Sequence, residues 1–474
     1  MHDESVAMLP VNDGLADRKG RIRALVITYG FPPISHSGVF RTAAFVKYLP
    51  QSEIDPVVFT AEDCDEAIPD QWKYPRSPAL GCVNIVRARW EYQQSPLSNR
   101  YARWIATRTP VLNALYRKAR RCRFVDALLP IVKQVAEEHD VNLIFASSGP
   151  PESLLLAQAL AHAIGRPFIS DLRDPWVYGW NALYTSYIDF WMEHRAEQAV
   201  LQDSAFVIAN TPTARKQLLQ VYRLTPTKVV VIPNGYDEDD FEPAATEPRY
   251  FEENHFNLVY TGFFTSSHNG RASALTGLFN YAPIKHEERT RSPLIIMRAL
   301  EIAGAREHGF RKQVRFHIVG PLAAGVTSEL ARSPAFPNLV LHGATSARVA
   351  NALCAQADLV VLLQITMFFQ GVPYSTAVPG KLFNYLRSGT RIFAPLQDGD
   401  AAQIIRDSAA GTVVDPNDEE AIAEALLTEY HNWTRGTSPR KPSYDDVPVV
   451  RQFARDRLTS HLARLMKACA MGRP

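Results

Sequence analysis

Cysteine is scarce and scattered in this chain. The five cysteines, Cys64, Cys82, Cys122, Cys354 and Cys469, are odd in number and form no C-x-x-C. That argues against a disulfide framework and a zinc site and points to a reducing, cytoplasmic compartment. Long apolar runs are missing as well: the most apolar, residues 359–369, is too short to span a bilayer. Neither sign of charge dominates. Lys and Arg number 51 against 49 Asp and Glu, a net charge of +2, so no global field draws the chain to nucleic acid. No P-loop is present, because Leu382 follows Lys381 and Ser375, not glycine, stands five before Gly380. G-x-S-x-G and H-E-x-x-H are also absent, as are low-complexity tracts and repeats of about 20–50 residues. Residues 1–20 hold Asp3, Glu4, Asp13 and Asp17 and no long apolar core. They read as a disordered tail, not a signal peptide.

What is there reads as two α/β domains, since 474 residues exceed what one core fills. Apolar runs at residues 24–27, 56–60, 143–146, 168–170, 205–209 and 229–232 read as buried strands, with helices at 40–49 and 152–164 between them. Asn234-Gly235 breaks the last of these, and the acidic stretch 237–248 reads as a linker. The pattern restarts at 258–260, 314–319, 339–341, 359–363, 391–394 and 412–414. The expected architecture is two doubly wound, Rossmann-like parallel sheets facing a central cleft. Its parts are a first Rossmann-like domain over 21–236, a second over 237–445, and a closing helix over 446–474 that packs back on the first domain.

Ligands of such sheets bind at the carboxyl ends of the strands, so the loops there carry the candidates. Val378-Pro379-Gly380-Lys381-Leu382-Phe383-Asn384 turns a loop into a helix. The helix start suits a phosphate, Lys381 supplies charge, and Asn384 lies one turn on. Alternatively, the segment is a buried helix that begins with Lys. The loop 30–38 contains His36 and Gly38, and Ser148 stands in the loop after the 143–146 strand. Asp171-Leu172-Arg173-Asp174-Pro175-Trp176 puts three charges at a strand end. Either they pair, or Arg173 holds an anion, Asp174 accepts from a hydroxyl and Trp176 offers a stacking face. Glu193 and Glu197 read as a solvated helix face. The run 237–240 contains a D-x-D but reads as an acidic turn, so no metal is expected. Residues 265–292 carry Arg271, Arg289 and Arg291 and read either as a lid over an anionic donor or as a surface insertion. Between residues 100 and 123 stand eight Arg or Lys and no acid, interleaved with Tyr101, Trp104, Leu112, Leu115 and Tyr116. That mix suits an anionic membrane surface or a solvated basic helix pair.

Together these motifs resemble family 4 glycosyltransferases of the GT-B fold. The resemblance runs from about residue 21 to 465. It rests on Phe31-Pro32-Pro33 with Gly38 and Arg41, on Val231-Ile232-Pro233-Asn234-Gly235-Tyr236-Asp237, on Tyr260-Thr261-Gly262, and on Pro379-Gly380-Lys381-Leu382-Phe383-Asn384 with Ser388-Gly389. Ser148-Gly149-Pro150-Pro151 and Leu172-Arg173-Asp174-Pro175-Trp176 are closest to members that add amino or deoxy sugars in bacterial surface polysaccharides. The resemblance implies a retaining transferase that uses a nucleotide-diphospho-sugar and no metal or other cofactor. Lys381, Arg173 and Asp174 would be catalytic. Gly38, Gly262, Arg271, Thr376, Gly380, Lys381 and Asn384 would bind the donor. His36, Ser148 and Trp176 would bind a glycan or lipid-linked acceptor, at the inner face of the cytoplasmic membrane. Three departures stand out: Asn384 replaces the family's Glu, no His lies near Ser147-Ser148, and the basic pair that usually follows Tyr-x-Gly is missing. A binding scaffold without transfer and a sugar-nucleotide epimerase are the alternatives.

Overall fold

The structure is a computed structural model of the chain. It describes residues 21–34, 37–62, 78–91, 97, 99, 101, 104, 109–180, 182–241, 248–264, 280–438 and 448–472. Two compact units emerge. Unit 1 comprises Met1–Pro233, Ala272–Pro283 and Arg455–Pro474; unit 2 comprises Asn234–Arg271 and Ile284–Ala454.

Unit 1 alternates β1 Ile22–Ile27, α1 Ser37–Tyr48, β2 Ile54–Ala61, β3 Asn84–Ala88, α2 Pro110–Glu138, β4 Leu143–Ser147, α3 Glu152–Ile164, β5 Phe168–Leu172, α4 Tyr187–Asp203, β6 Phe206–Ala209, α5 Pro212–Tyr222 and β7 Val229–Val231. The seven strands are all parallel, in the order β3-β2-β1-β4-β5-β6-β7. Successive side chains of a strand point to opposite faces, so both faces of this sheet carry a core. Leu25 and Ile27 of β1 join Phe124 of α2, Leu160 of α3 and Phe190 of α4. Ala24 and Val26 join Val39 and Phe45 of α1, and Leu458, Leu462 and Met466 of the Arg455–Ala470 helix. The closing helix thus belongs to unit 1.

Unit 2 contains β8 Phe256–Thr261, β9 Ile284–Glu287, β10 Val314–Val319, β11 Leu339–Gly343, β12 Leu359–Val361, β13 Thr366–Phe369, β14 Val372–Pro373, β15 Ile392–Pro395 and β16 Gly411–Val414. Six of them form a parallel sheet in the order β11-β10-β8-β12-β15-β16. Both sheets follow the doubly wound order, with its reversal beside β1 in unit 1 and beside β8 in unit 2, the two places where such sheets take ligands.

Three elements differ from the sequence expectation. β3 is a short edge strand that the apolar pattern does not mark. Residues 110–138 form one 29-residue helix, an element the sequence reading did not bound. The apolar run 359–369 is split into β12 and β13, and β13 pairs antiparallel with β9 and β14. The break falls at Gln364, whose buried amide donates to Ser375 Oγ at 2.7 Å and to the Ala377 carbonyl at 2.8 Å. A buried amide must be satisfied, and these partners turn the chain out of the sheet.

Candidate active site

In unit 2 the chemistry gathers at the carboxyl end of β8. The Gly380–Ser388 helix starts there with Pro379 at its cap and no side-chain cap bond, so its first N–H groups are left to other partners. The buried Tyr385 anchors it: its hydroxyl accepts from the Thr261 backbone N–H at 2.9 Å and lies 3.1 Å from Thr261 Oγ1. Lys381 reaches the same strand end. Its Nζ donates to the Thr261 carbonyl and sits 3.8 Å from the centroid of the Tyr260 ring. Gly262 lets it in: at φ +138° only glycine is at ease, and a Cβ there would lie 2.5 Å from Lys381 Nζ. Gly320, at φ +140°, backs this turn so closely that a Cβ would lie 2.1 Å from the Gly262 carbonyl oxygen.

Lys381 as a whole keeps some surface, but its ammonium is packed against a ring, a glycine and a carbonyl. Burial pushes its pKa down to about 7, with the positive charge of Arg291 the second cause. Arg291 closes the Glu288–Arg291 turn. It also holds down the Tyr260 hydroxyl, which burial still drives up to about 12. That hydroxyl is buried, with the Arg291 guanidinium as its polar neighbour. Two cations, neither paired with an acid among the described residues, therefore flank the start of an uncapped helix. An anion of two or more charges fits this arrangement.

In unit 1 the carboxyl ends of β1, β4 and β5 converge. Asp171 is fully buried and taken: Arg41 holds it bidentately at 2.8 and 3.1 Å, and Ser147 Oγ donates to it at 2.9 Å. Arg41 also donates to the Ile232 and Pro233 carbonyls at 2.8 and 2.7 Å. With Asp171 satisfied, Arg173 is left over. Its guanidinium lies between two glycines: a Cβ at Gly38 would fall 1.2 Å from Nη1, and one at Gly149 2.4 Å from Nη2. No hydrogen bond or ion pair of the Arg173 side chain is formed among the described residues. Ser148 Oγ accepts from the Arg173 backbone N–H at 3.2 Å. Asp174 follows: the residue keeps surface, but burial of its carboxyl raises its pKa, opposed by the neighbouring charge of Arg173.

The sequence candidates thus fall into two clusters. Unit 2 collects Gly262, Gly380, Lys381 and Asn384, with Thr376 buried in the loop before the helix. Asn384 Nδ2 donates to Asn351 Oδ1 at 3.3 Å, and Asn351 in turn holds the Asp240 carbonyl at 3.1 Å. A Cβ at position 380 would meet no other part of the described protein within 4 Å, so Gly380 borders open space. Unit 1 collects Gly38, Ser148, Arg173 and Asp174. His36 and Arg271 lie outside the described residues. Arg291 is the residue the sequence reading did not single out: it was one basic side chain among several in 265–292, and only the turn before the Leu294–Arg306 helix aims it at Lys381. The D-x-D run forms a short turn, Glu238–Phe241, in which Glu238 pairs with Arg387 at 2.8 Å. Among the described residues no group of three or more His, Cys, Asp or Glu is placed to hold a metal ion.

Two expectations are corrected. Trp176 does not present a stacking face: it is buried, its Nε1 donates to Glu193 at 3.0 Å, and the Arg121 guanidinium lies 5.2 Å from the ring centroid. Glu193 and Glu197 are not a solvated face. Both are buried; Glu193 binds Arg121 and Trp176, and Glu197 accepts from Tyr222 and from the Val177 N–H. The 3.6-residue period places both on a single helix face, but only the packing of α2 on α4 makes that face internal.

Comparisons with known proteins bear on the fold and on the family. The family described as Glycosyltransferase Family 4 matches residues 39–240. A glycosyltransferase from Rickettsia africae is 14% identical with a TM-score of 0.61, covering 95% of this chain and 99% of that one. Anabaena Alr3699/HepE in complex with UDP is 13% identical with a TM-score of 0.58, covering 94% and 100%. A putative UDP-N-acetylglucosamine 2-epimerase from Listeria monocytogenes is 10% identical with a TM-score of 0.55, covering 96% and 98%. No curated protein matches the chain in sequence. The fold is therefore GT-B, and residues 39–240 carry the pattern of glycosyltransferase family 4.

Proposed function

We propose that the protein is a retaining glycosyltransferase that moves a sugar from a nucleotide-diphospho-sugar to a glycan or lipid-linked acceptor in bacterial polysaccharide synthesis. The observation that carries this reading is the pair Lys381 and Arg291, two basic groups that have no acid partner among the described residues, beside an uncapped helix start. A diphosphate is the ligand that such a pair recognises, and a UDP complex of a protein with the same fold supports the choice. Asn384, one turn above Lys381, takes a hydroxyl of the ribose or sugar. Gly380 leaves room for the donor backbone to approach.

The reaction breaks the bond between the anomeric carbon and the diphosphate oxygen. Negative charge grows on that oxygen, and Lys381, Arg291 and the helix N–H groups stabilise it. The acceptor hydroxyl oxygen bonds to the anomeric carbon on the face the diphosphate leaves, and its proton passes to the departing phosphate oxygen. Configuration is kept, and no side-chain base is needed. Arg173 and Asp174 orient the acceptor, the first by donating to its oxygens and the second by accepting from a hydroxyl.

Calorimetric titration with UDP, GDP, dTDP and ADP, without metal, tests the donor site. One nucleotide is expected to bind, and Lys381→Ala to weaken it by about tenfold or more, the scale of one charge-assisted contact. Binding by none of the four, or equal binding by the wild type and Lys381→Ala, refutes the assignment.

A further inference from the structure

The helices α2 and α4 lie side by side in register. Asn113 Nδ2 donates to Thr185 Oγ1 at 2.7 Å, Arg117 to Asp189 at 2.9 Å, and Arg121 to Glu193. Thr185 lies just before α4; from Arg117–Asp189 to Arg121–Glu193 a step of four residues along one helix matches a step of four along the other, so the two run parallel. Both pack on the same core of unit 1 through Phe124 and Phe190, so their outer sides face solvent together. Arg121 also binds Glu152, the first residue of α3, at 3.2 Å. The start of α3 marks the carboxyl edge of the sheet. The turns of α2 before Arg121 therefore project past that edge, on the side where Arg173 sits.

These projecting ends are apolar and, among the described residues, largely uncovered, with Tyr187 alone of them edge-on to Tyr281 at 5.3 Å. Of fourteen large hydrophobic residues exposed among the described residues, six lie here: Val111, Leu112 and Leu115 on α2, and Tyr187, Ile188 and Trp191 on α4. Leu115 is 51% exposed, Tyr187 61% and Trp191 50%. Such concentration on one face marks an interaction surface. Basic residues follow one to two turns behind: Lys118 and Arg123 are exposed on α2, and on α4 Arg195 is exposed, its guanidinium 5.4 Å from the Trp191 ring centroid. Acids are kept off this face. α2 has none before Asp126, and Asp189, Glu193 and Glu197 of α4 are turned inward and buried.

We infer that the paired N-terminal ends of α2 and α4 dock on the surface of a bilayer containing anionic lipid. Leucine and isoleucine enter the acyl boundary, tyrosine and tryptophan sit at headgroup level, and Lys118, Arg123 and Arg195 meet lipid phosphates. The sequence alone pointed to the basic run 100–123. The structure removes Arg117 and Arg121 from that surface by pairing them internally, and adds the whole outer face of α4. This face binds independently of the donor site.

The test is flotation of the full chain, without nucleotide, on vesicles of phosphatidylcholine alone and with phosphatidylglycerol added. Binding is expected only with the anionic lipid, weakening as salt rises, with a blue shift in tryptophan emission that Trp191→Phe reduces. Leu115→Glu with Ile188→Glu, both at exposed positions, is expected to weaken binding by about tenfold or more, and Arg195→Glu to weaken it less. No binding to anionic vesicles overturns the inference, as does binding that the double variant leaves unchanged. A dimer in solution that the double variant dissociates, without vesicle binding, also overturns it and assigns the face to a second copy of the chain.

Discussion

At the scale of single residues the decisive fact is an ammonium group held where charge is costly. In an unfolded chain Lys381 ionises near 10.5; here burial, and secondarily Arg291, bring it to about 7. Between those values the unfolded chain binds the extra proton, so this group makes folding stability rise with pH across that window. A diphosphate reverses the balance, because it restores the charge by pairing with it. Affinity for a nucleotide-diphospho-sugar, whose diphosphate has no proton to lose near neutrality, should therefore fall as pH climbs through about 7, with net proton uptake on binding. Titration in two buffers of different ionisation enthalpy measures that uptake. Lys381→Arg should flatten the profile, and a flat wild-type profile would show that Lys381 does not meet the diphosphate. Lys381 was legible in the sequence because a helix start after Pro-Gly is a local signal. Arg291 was not, because its partner is ninety positions away.

At the scale of elements, α2 and α4 show how buried charge sets register. Arg121 satisfies Glu152 of α3 and Glu193 of α4 at once, and these partners also hold its own ionisation above the ordinary arginine value. Removing it leaves two carboxylates in a low-dielectric interior. Arg121→Ala should cost about 3–5 kcal/mol in chemical denaturation. Arg117→Ala should cost less, since Arg117 is more exposed and Asp189 keeps other donors in the Thr185 N–H and hydroxyl. Equal losses would mean that the network does not set the packing. Most strands and the α3 helix were legible as apolar runs of the right length. The continuity of α2 was not: Phe124, Leu128, Val132 and Val135 form a helical stripe in its second half, but Arg117 and Arg121 stand where that stripe would continue toward its start.

At the scale of the whole molecule, two doubly wound sheets each carry buried apolar clusters on both faces. The Arg455–Ala470 helix belongs to the first, where Leu462 and Met466 are fully buried beside Ala24 and Val26. Leu462→Ala should destabilise unit 1 by about 2–5 kcal/mol. In calorimetry it should lower the transition of unit 1 and leave the one that nucleotide binding raises where it was. A single transition moved equally by both would show that the units melt as one. The sequence by itself determined the fold class, the two-part organisation and the positions of Lys381, Arg173 and Gly38, because strand runs, glycine turns and helix starts are written in neighbouring residues. Tertiary structure alone decided that Asp171 is consumed by Arg41 while the Arg173 side chain, among the described residues, forms no hydrogen bond. It also decided that Trp176, Glu193 and Glu197 face inward, and that Arg291 joins Lys381. The reason is physical: burial and charge pairing depend on which elements meet, and that is settled by side chains distant in the chain.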